Sequence, residues 1–181
     1  MRRAILLLTT MSLALVAVSG MALAFDCGAG SCWGTEGDDL MIGTPADEGR
    51  HGLGGDDQIR GLGGNDSLTG DGGDDAVFGG SGEDSVEGNL GHDLLTGGSG
   101  ADTLKGNRGD DDLLDDLGRD LFRGGPGNDE IAPPGFGPGP PALYRQSDVI
   151  FCGPGNDRVF AHPFDEVADD CEVVRRIPNP F

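Results

Sequence analysis

The chain has 181 residues, 35 of them glycine, and carries 32 acidic against 12 basic side chains for a net charge of −20. An acid surplus of that size excludes nucleic acid and anionic lipid as partners, because their phosphates would be repelled. Abundant glycine, few aromatics and high charge also describe a chain that stays unfolded until something neutralises it, and a cation is the natural candidate.

The chain opens Met1-Arg2-Arg3, continues with an apolar run from Ala4 to about Val18, and reaches the small-residue site Ala22-Leu23-Ala24. A basic start, a short apolar middle and an A-x-A end describe a cleavable secretory signal, not a membrane anchor. Residues 1–24 are therefore expected to be removed, with no membrane insertion afterwards and an extracellular, periplasmic or surface-held product. Losing Arg2 and Arg3 leaves 10 basic against 32 acidic residues, a net of −22. Residues 25–33 read as an N-terminal cap, in which Trp33 is expected to cover the first layer. Cys27, Cys32, Cys152 and Cys171 suggest two disulfides in an exported chain, with three connectivities open. Cys27–Cys32 and Cys152–Cys171 is the preferred pairing, because each pair would close one end of the array between them. A site built from four thiolates is disfavoured, since no C-x-x-C spacing is present.

Residues 34–132 divide into eleven contiguous units of nine. The clearest are "GLGGDDQIR", "GLGGNDSLT" and "GDGGDDAVF", and a fixed period of this kind takes precedence over local readings. Position four is glycine in every unit but one, where Ala46 stands. Position six reads Asp39, Glu48, Asp57, Asp66, Asp75, Asp84, Asp93, Asp102, Asp111, Asp120 and Asp129. Position eight reads Met41, Arg50, Ile59, Leu68, Val77, Val86, Leu95, Leu104, Leu113, Phe122 and Ile131. Three residues around position eight make a very short strand with one inward apolar side chain. The preceding six make a glycine-rich turn. Two units then form a coil of 18 residues, and stacked coils pair in parallel at about 4.8 Å. That stacking lines the position-six carboxylates into two columns, which repel one another unless a cation lies between them. Calcium fits, because it takes about six to eight oxygens from carboxylates and backbone carbonyls. His51, His92 and His162 are scattered and without sulfur partners, so zinc is poorly served and each reads as an exposed side chain.

These lines resemble the haemolysin-type, repeats-in-toxin (RTX) calcium-binding nonapeptide G-G-x-G-x-D-x-U-x, which "GGSGADTLK" and "GGPGNDEIA" match at every specified position. The resemblance implies an all-β, right-handed parallel β-roll with multiple calcium ions held between neighbouring coils by the position-six Asp and turn carbonyls. Carried over by position, the implied metal ligands are Asp39, Asp57, Asp66, Asp75, Asp84, Asp93, Asp102, Asp111, Asp120 and Asp129.

Departures from the pattern carry their own expectations. The unit at 43–51 has Ala46, Glu48 and Arg50 in the three columns, so a bulge and a weak or absent ion are expected there. The unit at 115–123 begins Asp115-Asp116, which disturbs its turn. The ten residues 133–142, "PPGFGPGPPA", must leave the roll, since proline cannot donate to a ladder. Residues 143–160 resume the frame, first with Asp148 and Ile150 but no turn glycines, then with Gly155, Asp157 and Val159; Asp157 joins the expected ligands. Residues 161–181 read as a C-terminal cap, resembling the disulfide-sealed end of some secreted members of the family. Asp165, Asp169 and Asp170 are expected at a solvated edge, with a peripheral ion site as the alternative.

No H-E-x-x-H or G-x-S-x-G is present, and Asp pairs that recur every nine residues read as scaffold, not as acid/base dyads. The expected function is therefore that of a non-enzymatic, secreted calcium-binding roll, structural or adhesive. The alternatives are a module recognising protein or carbohydrate through the roll face or the proline-rich loop, and an accessory part of a secreted hydrolase.

Overall fold

The computed structural model describes residues 30–114, 117–132 and 147–176, and the backbone of 23–26. Most of the expected signal, Cys27 and the Pro/Gly insertion lie outside the described residues. Two parallel sheets face each other across a single ladder of side chains. One contains Leu23–Asp26, Asp39–Ile42, Gln58–Gly63, Ala76–Ser81, Leu94–Gly100, Asp112–Leu114, Glu130–Ala132, Arg158–Ala161 and Val173–Arg176, paired in that order, with Leu117–Gly118 paired to Leu94–Gly100. The other contains Ser31–Trp33, Gly49–Gly54, Ser67–Gly72, Ser85–Leu90, Thr103–Arg108, Leu121–Arg123, Val149–Phe151 and Glu166–Val167. Successive units alternate between the sheets. The fold is an all-strand parallel β-solenoid of 18-residue coils.

Register follows the nine-residue frame. In the first sheet Ile59 lies opposite Val77, then Leu95, Leu113 and Ile131. In the second, Leu68 lies opposite Val86, then Leu104, Phe122 and Ile150. These position-eight side chains have no exposed surface. A one-residue slip would turn the whole ladder outward, so the apolar column fixes the pairing. Phe122 pairs with Ile150, 28 positions on, which is ten more than a coil. The Pro/Gly segment is thus an insertion that leaves the register of the roll intact on either side.

The structure corrects the sequence reading of the fold in four places. Most central strands run over six residues, not three, because they continue through the first three positions of the next unit. Positions six, eight and one all face inward, so the pleat itself carries Asp, apolar residue and glycine to the interior. No bulge forms at 43–51: Gly49, Arg50 and His51 pair in register with Ser67, Leu68 and Thr69. Arg50 stays in the buried column, because Glu48 stands beside it to take its charge. Trp33 does not cover the end of the core. It is 58% exposed and stacks on His51 with ring centroids 5.8 Å apart, while Cys32 occupies the inward position. His162 is buried rather than exposed: its ring lies beside the buried Asp165 carboxylate and its carbonyl accepts from the Arg176 guanidinium at 2.7 Å.

Candidate metal centre

Every position-six side chain predicted as a ligand is buried: Asp39, Asp57, Asp66, Asp75, Asp84, Asp93, Asp102, Asp111, Asp120, Asp129 and Asp157. The coils place them in two ladders joined by one kind of bond. The backbone N–H of each donates to Oδ1 of the residue one coil later: Asp57 to Asp75 at 2.8 Å, Asp75 to Asp93 at 2.9 Å, Asp93 to Asp111 at 3.0 Å and Asp111 to Asp129 at 3.0 Å. The second ladder runs from Asp66 to Asp84 at 2.8 Å, then to Asp102 at 2.7 Å and Asp120 at 2.9 Å. Both ladders cross the insertion, Asp120 donating to Asp148 at 3.0 Å and Asp129 to Asp157 at 2.9 Å.

The other carboxylate oxygen has no such partner. Oδ2 of Asp57, Asp66, Asp75, Asp84, Asp93, Asp102, Asp111, Asp120, Asp129 and Asp157 is buried without a hydrogen-bond donor. An unpaired buried carboxylate oxygen is costly. Neighbouring charges at coil spacing repel by about 3 kcal/mol per pair at an effective dielectric near 20. Burial, only partly opposed by the N–H bond from the adjacent coil, pushes the Asp57 and Asp129 carboxyls up to about 7. The same cause takes Asp75, Asp93, Asp102 and Asp111 to about 6. Ten groups in this state are a standing demand for positive charge.

What surrounds Oδ2 decides which cation can answer it. The carboxylate folds back over the first glycine of its own unit. A Cβ on Gly52 would collide with Oδ2 of Asp57 and lie 2.5 Å from the carbonyl oxygen of Gly70 on the next coil. Gly61 stands in the same relation to Asp66 and to the carbonyl of Gly79, and Gly79 to Asp84 and the carbonyl of Gly97. These turns bring a carboxylate oxygen and a carbonyl oxygen together over a glycine. Among the described residues no three side chains of His, Cys, Asp or Glu converge, so backbone carbonyls must complete any shell. A set of hard oxygens suits calcium and does not suit zinc.

The ladders extend beyond the ligands expected from the sequence. Asp148 continues the second column although its unit lacks turn glycines, and burial raises its carboxyl to about 7. Asp165 ends that column: it is buried, accepts the N–H of Asp148 at 3.3 Å and that of His162, and is not at a solvated edge. Glu172 ends the first column, accepting the N–H of Asp157 at 3.0 Å. Asp170 is exposed and accepts the N–H of Gly153 at 3.1 Å. Asp39 differs from the rest, since Thr35 donates to its Oδ2 from both N–H and hydroxyl. A further column was not anticipated: at exposed position five the N–H of Asp56 donates to Asp38, that of Asp74 to Asp56 and that of His92 to Asp74. Recurrent Asp and Asn at that position were its signal.

The C-terminal end is closed by a Cys152–Cys171 disulfide, as expected. Cys32 is disulfide-bonded too, while Cys27, its expected partner, lies outside the described residues. A family model of the RTX calcium-binding nonapeptide repeat, in four copies, matches residues 51–86, 87–114 and 105–132. No curated protein matches the chain.

Proposed function

Because residues 51–132 belong to the RTX calcium-binding nonapeptide repeat family, we propose that this chain is a secreted protein whose folding is driven by calcium and whose role is structural or adhesive. One observation carries the reading: ten buried carboxylate oxygens have no donor, and seven of them, from Asp57, Asp66, Asp75, Asp84, Asp93, Asp111 and Asp129, lie over a glycine that only a missing Cβ keeps open. Calcium supplies charge that the chain lacks. Oδ2 of Asp57, Asp66, Asp75, Asp84, Asp93, Asp102, Asp111, Asp120, Asp129 and Asp157 would hold the ions, with Asp39 at the first coil, together with carbonyls such as those of Gly70 and Gly79. The chain's own work is to line up these oxygens, exclude water with the aliphatic ladder, and leave room over the glycines. The ligands come together only in the rolled state, so binding and folding are one event.

Export is supported by the residue pattern of 1–24 and by the disulfide, which belongs to an oxidising compartment. Extracellular modules bind calcium with Kd about 10⁻⁴–10⁻³ M, which suits that location. Far-UV circular dichroism of the mature chain tests the reading. A cooperative coil-to-strand transition is expected with calcium and not with magnesium. No transition at any calcium concentration would refute it.

A second reading, recognition of a protein or carbohydrate through the roll face, has one observation in its favour. A surface groove of about 690 Å³ runs across the coils, lined by Leu53, Asp71, Asn89, Leu90, Asn107 and Arg108. The side-chain amide of Asn107 donates to Asn89, and that of Asn89 to Asp71, so its floor is a polar ladder.

A further inference from the structure

We infer that the guanidinium of Arg50 takes the place of a metal ion in the turn that carries Glu48, so that this turn needs no calcium. The inference rests on the calcium reading above and concerns the one unit in which both the carboxylate and the apolar column depart from the pattern.

The geometry sets Glu48 beside the ion-demanding turns. A Cβ on Gly43 would collide with Oε2 of Glu48 and with the carbonyl oxygen of Gly61. Gly52, with Asp57 Oδ2 and the carbonyl of Gly70, is the same arrangement one unit on. Oε2 of Glu48 therefore occupies the position that Oδ2 holds elsewhere. There, however, Nη2 of Arg50 donates to it at 3.1 Å, and neither side chain has any exposed surface. The backbone N–H of Thr44 donates to both Glu48 oxygens at 3.0 Å, and its hydroxyl donates to Oε1. Burial alone would raise the Glu48 carboxyl, yet Thr44 and Arg50 hold it below its ordinary value.

Arginine can do this because positions six and eight face the same way. Arg50 pairs in register between Cys32 and Leu68, so its aliphatic stem fills the apolar column while its head reaches back to Glu48. Its charge is fixed at every accessible pH. Glutamate in place of aspartate extends the carboxylate toward it. The two substitutions are thus one exchange: an ion from solution replaced by a cation tethered to the chain.

The test counts calcium ions per chain by equilibrium dialysis on the mature wild type and two variants, with circular dichroism to follow folding. E48D/R50L restores the residues found at Asp66 and Leu68; E48Q/R50L removes both charges. The expected result is one more ion in E48D/R50L than in wild type, no more in E48Q/R50L, and calcium-dependent folding of E48D/R50L. An unchanged count in E48D/R50L, or its failure to fold in calcium, would overturn the inference while leaving the calcium reading intact. A wild type that binds no calcium would overturn that reading, and this inference with it.

Discussion

Asp57 and Asp75 are bound one way and exposed to repulsion another: the N–H of Asp57 donates to Oδ1 of Asp75 at 2.8 Å, while Oδ2 of both is buried without a donor. The first contact fixes the spacing of the coils. It thereby fixes the repulsion as well, since the carboxylates cannot move apart without breaking the ladder. A metal ion resolves the conflict without disturbing the bonds already made, and the following predictions turn on that division of labour.

Gly52 leaves the space that Oδ2 of Asp57 and the carbonyl of Gly70 occupy. Gly52→Ala puts a methyl group there. Calcium titration of this variant should show a raised folding midpoint and one ion fewer per chain, whereas a wild-type titration curve would mean that the ions bind elsewhere.

Leu95 belongs to the other half of the design. It is fully buried in the apolar column and supplies no oxygen to an ion. Leu95→Ala should lower stability in saturating calcium by about 2–5 kcal/mol, in the range of buried leucine truncations. Chemical denaturation reads the loss, and the number of bound ions should not change.

Acidity acts on the metal-free chain through the raised carboxyls. Asp57, Asp75, Asp93 and Asp129 rise from an ordinary 3.8 to about 6–7 in the roll, through burial. Between those values the roll holds more protons than the unfolded chain. Its metal-free stability is therefore full below about pH 3.8 and is lost as the pH rises through 6 to 7. In chelator, the strand signal should be stronger at pH 4 than at pH 7.5. Equal signals would mean that the carboxylates are not buried when the ions are gone.

Much of this was legible in the sequence because a period-nine pattern maps directly onto a stacked structure. Position six gave the ladders, position eight the core, and the resumption of the frame at Asp148 and Asp157 marked the ten-residue insertion. What escaped has physical reasons. Arg50 looked like a break in the core, because its pairing with Glu48 needs both side chains to face inward, and a short strand leaves that open. Position two takes a left-handed backbone in Leu53, Leu62, Asp71, Asn89 and Asn107. Asp and Asn tolerate that conformation, but leucine does not advertise it, and there the stacking overrides the residue's preference. The end of the second column at Asp165 was hidden because no glycine turn precedes it.

The most direct measurement is the location of the ions by anomalous X-ray scattering from crystals of the mature chain grown in calcium. The account predicts ions about 2.3–2.6 Å from Oδ2 of the central ladder residues, Asp57 through Asp129, and from carbonyls of the adjoining glycines, with none in the turn of Glu48. Ions found instead along the exposed column of Asp38, Asp56 and Asp74, with the buried oxygens left bare, would contradict it.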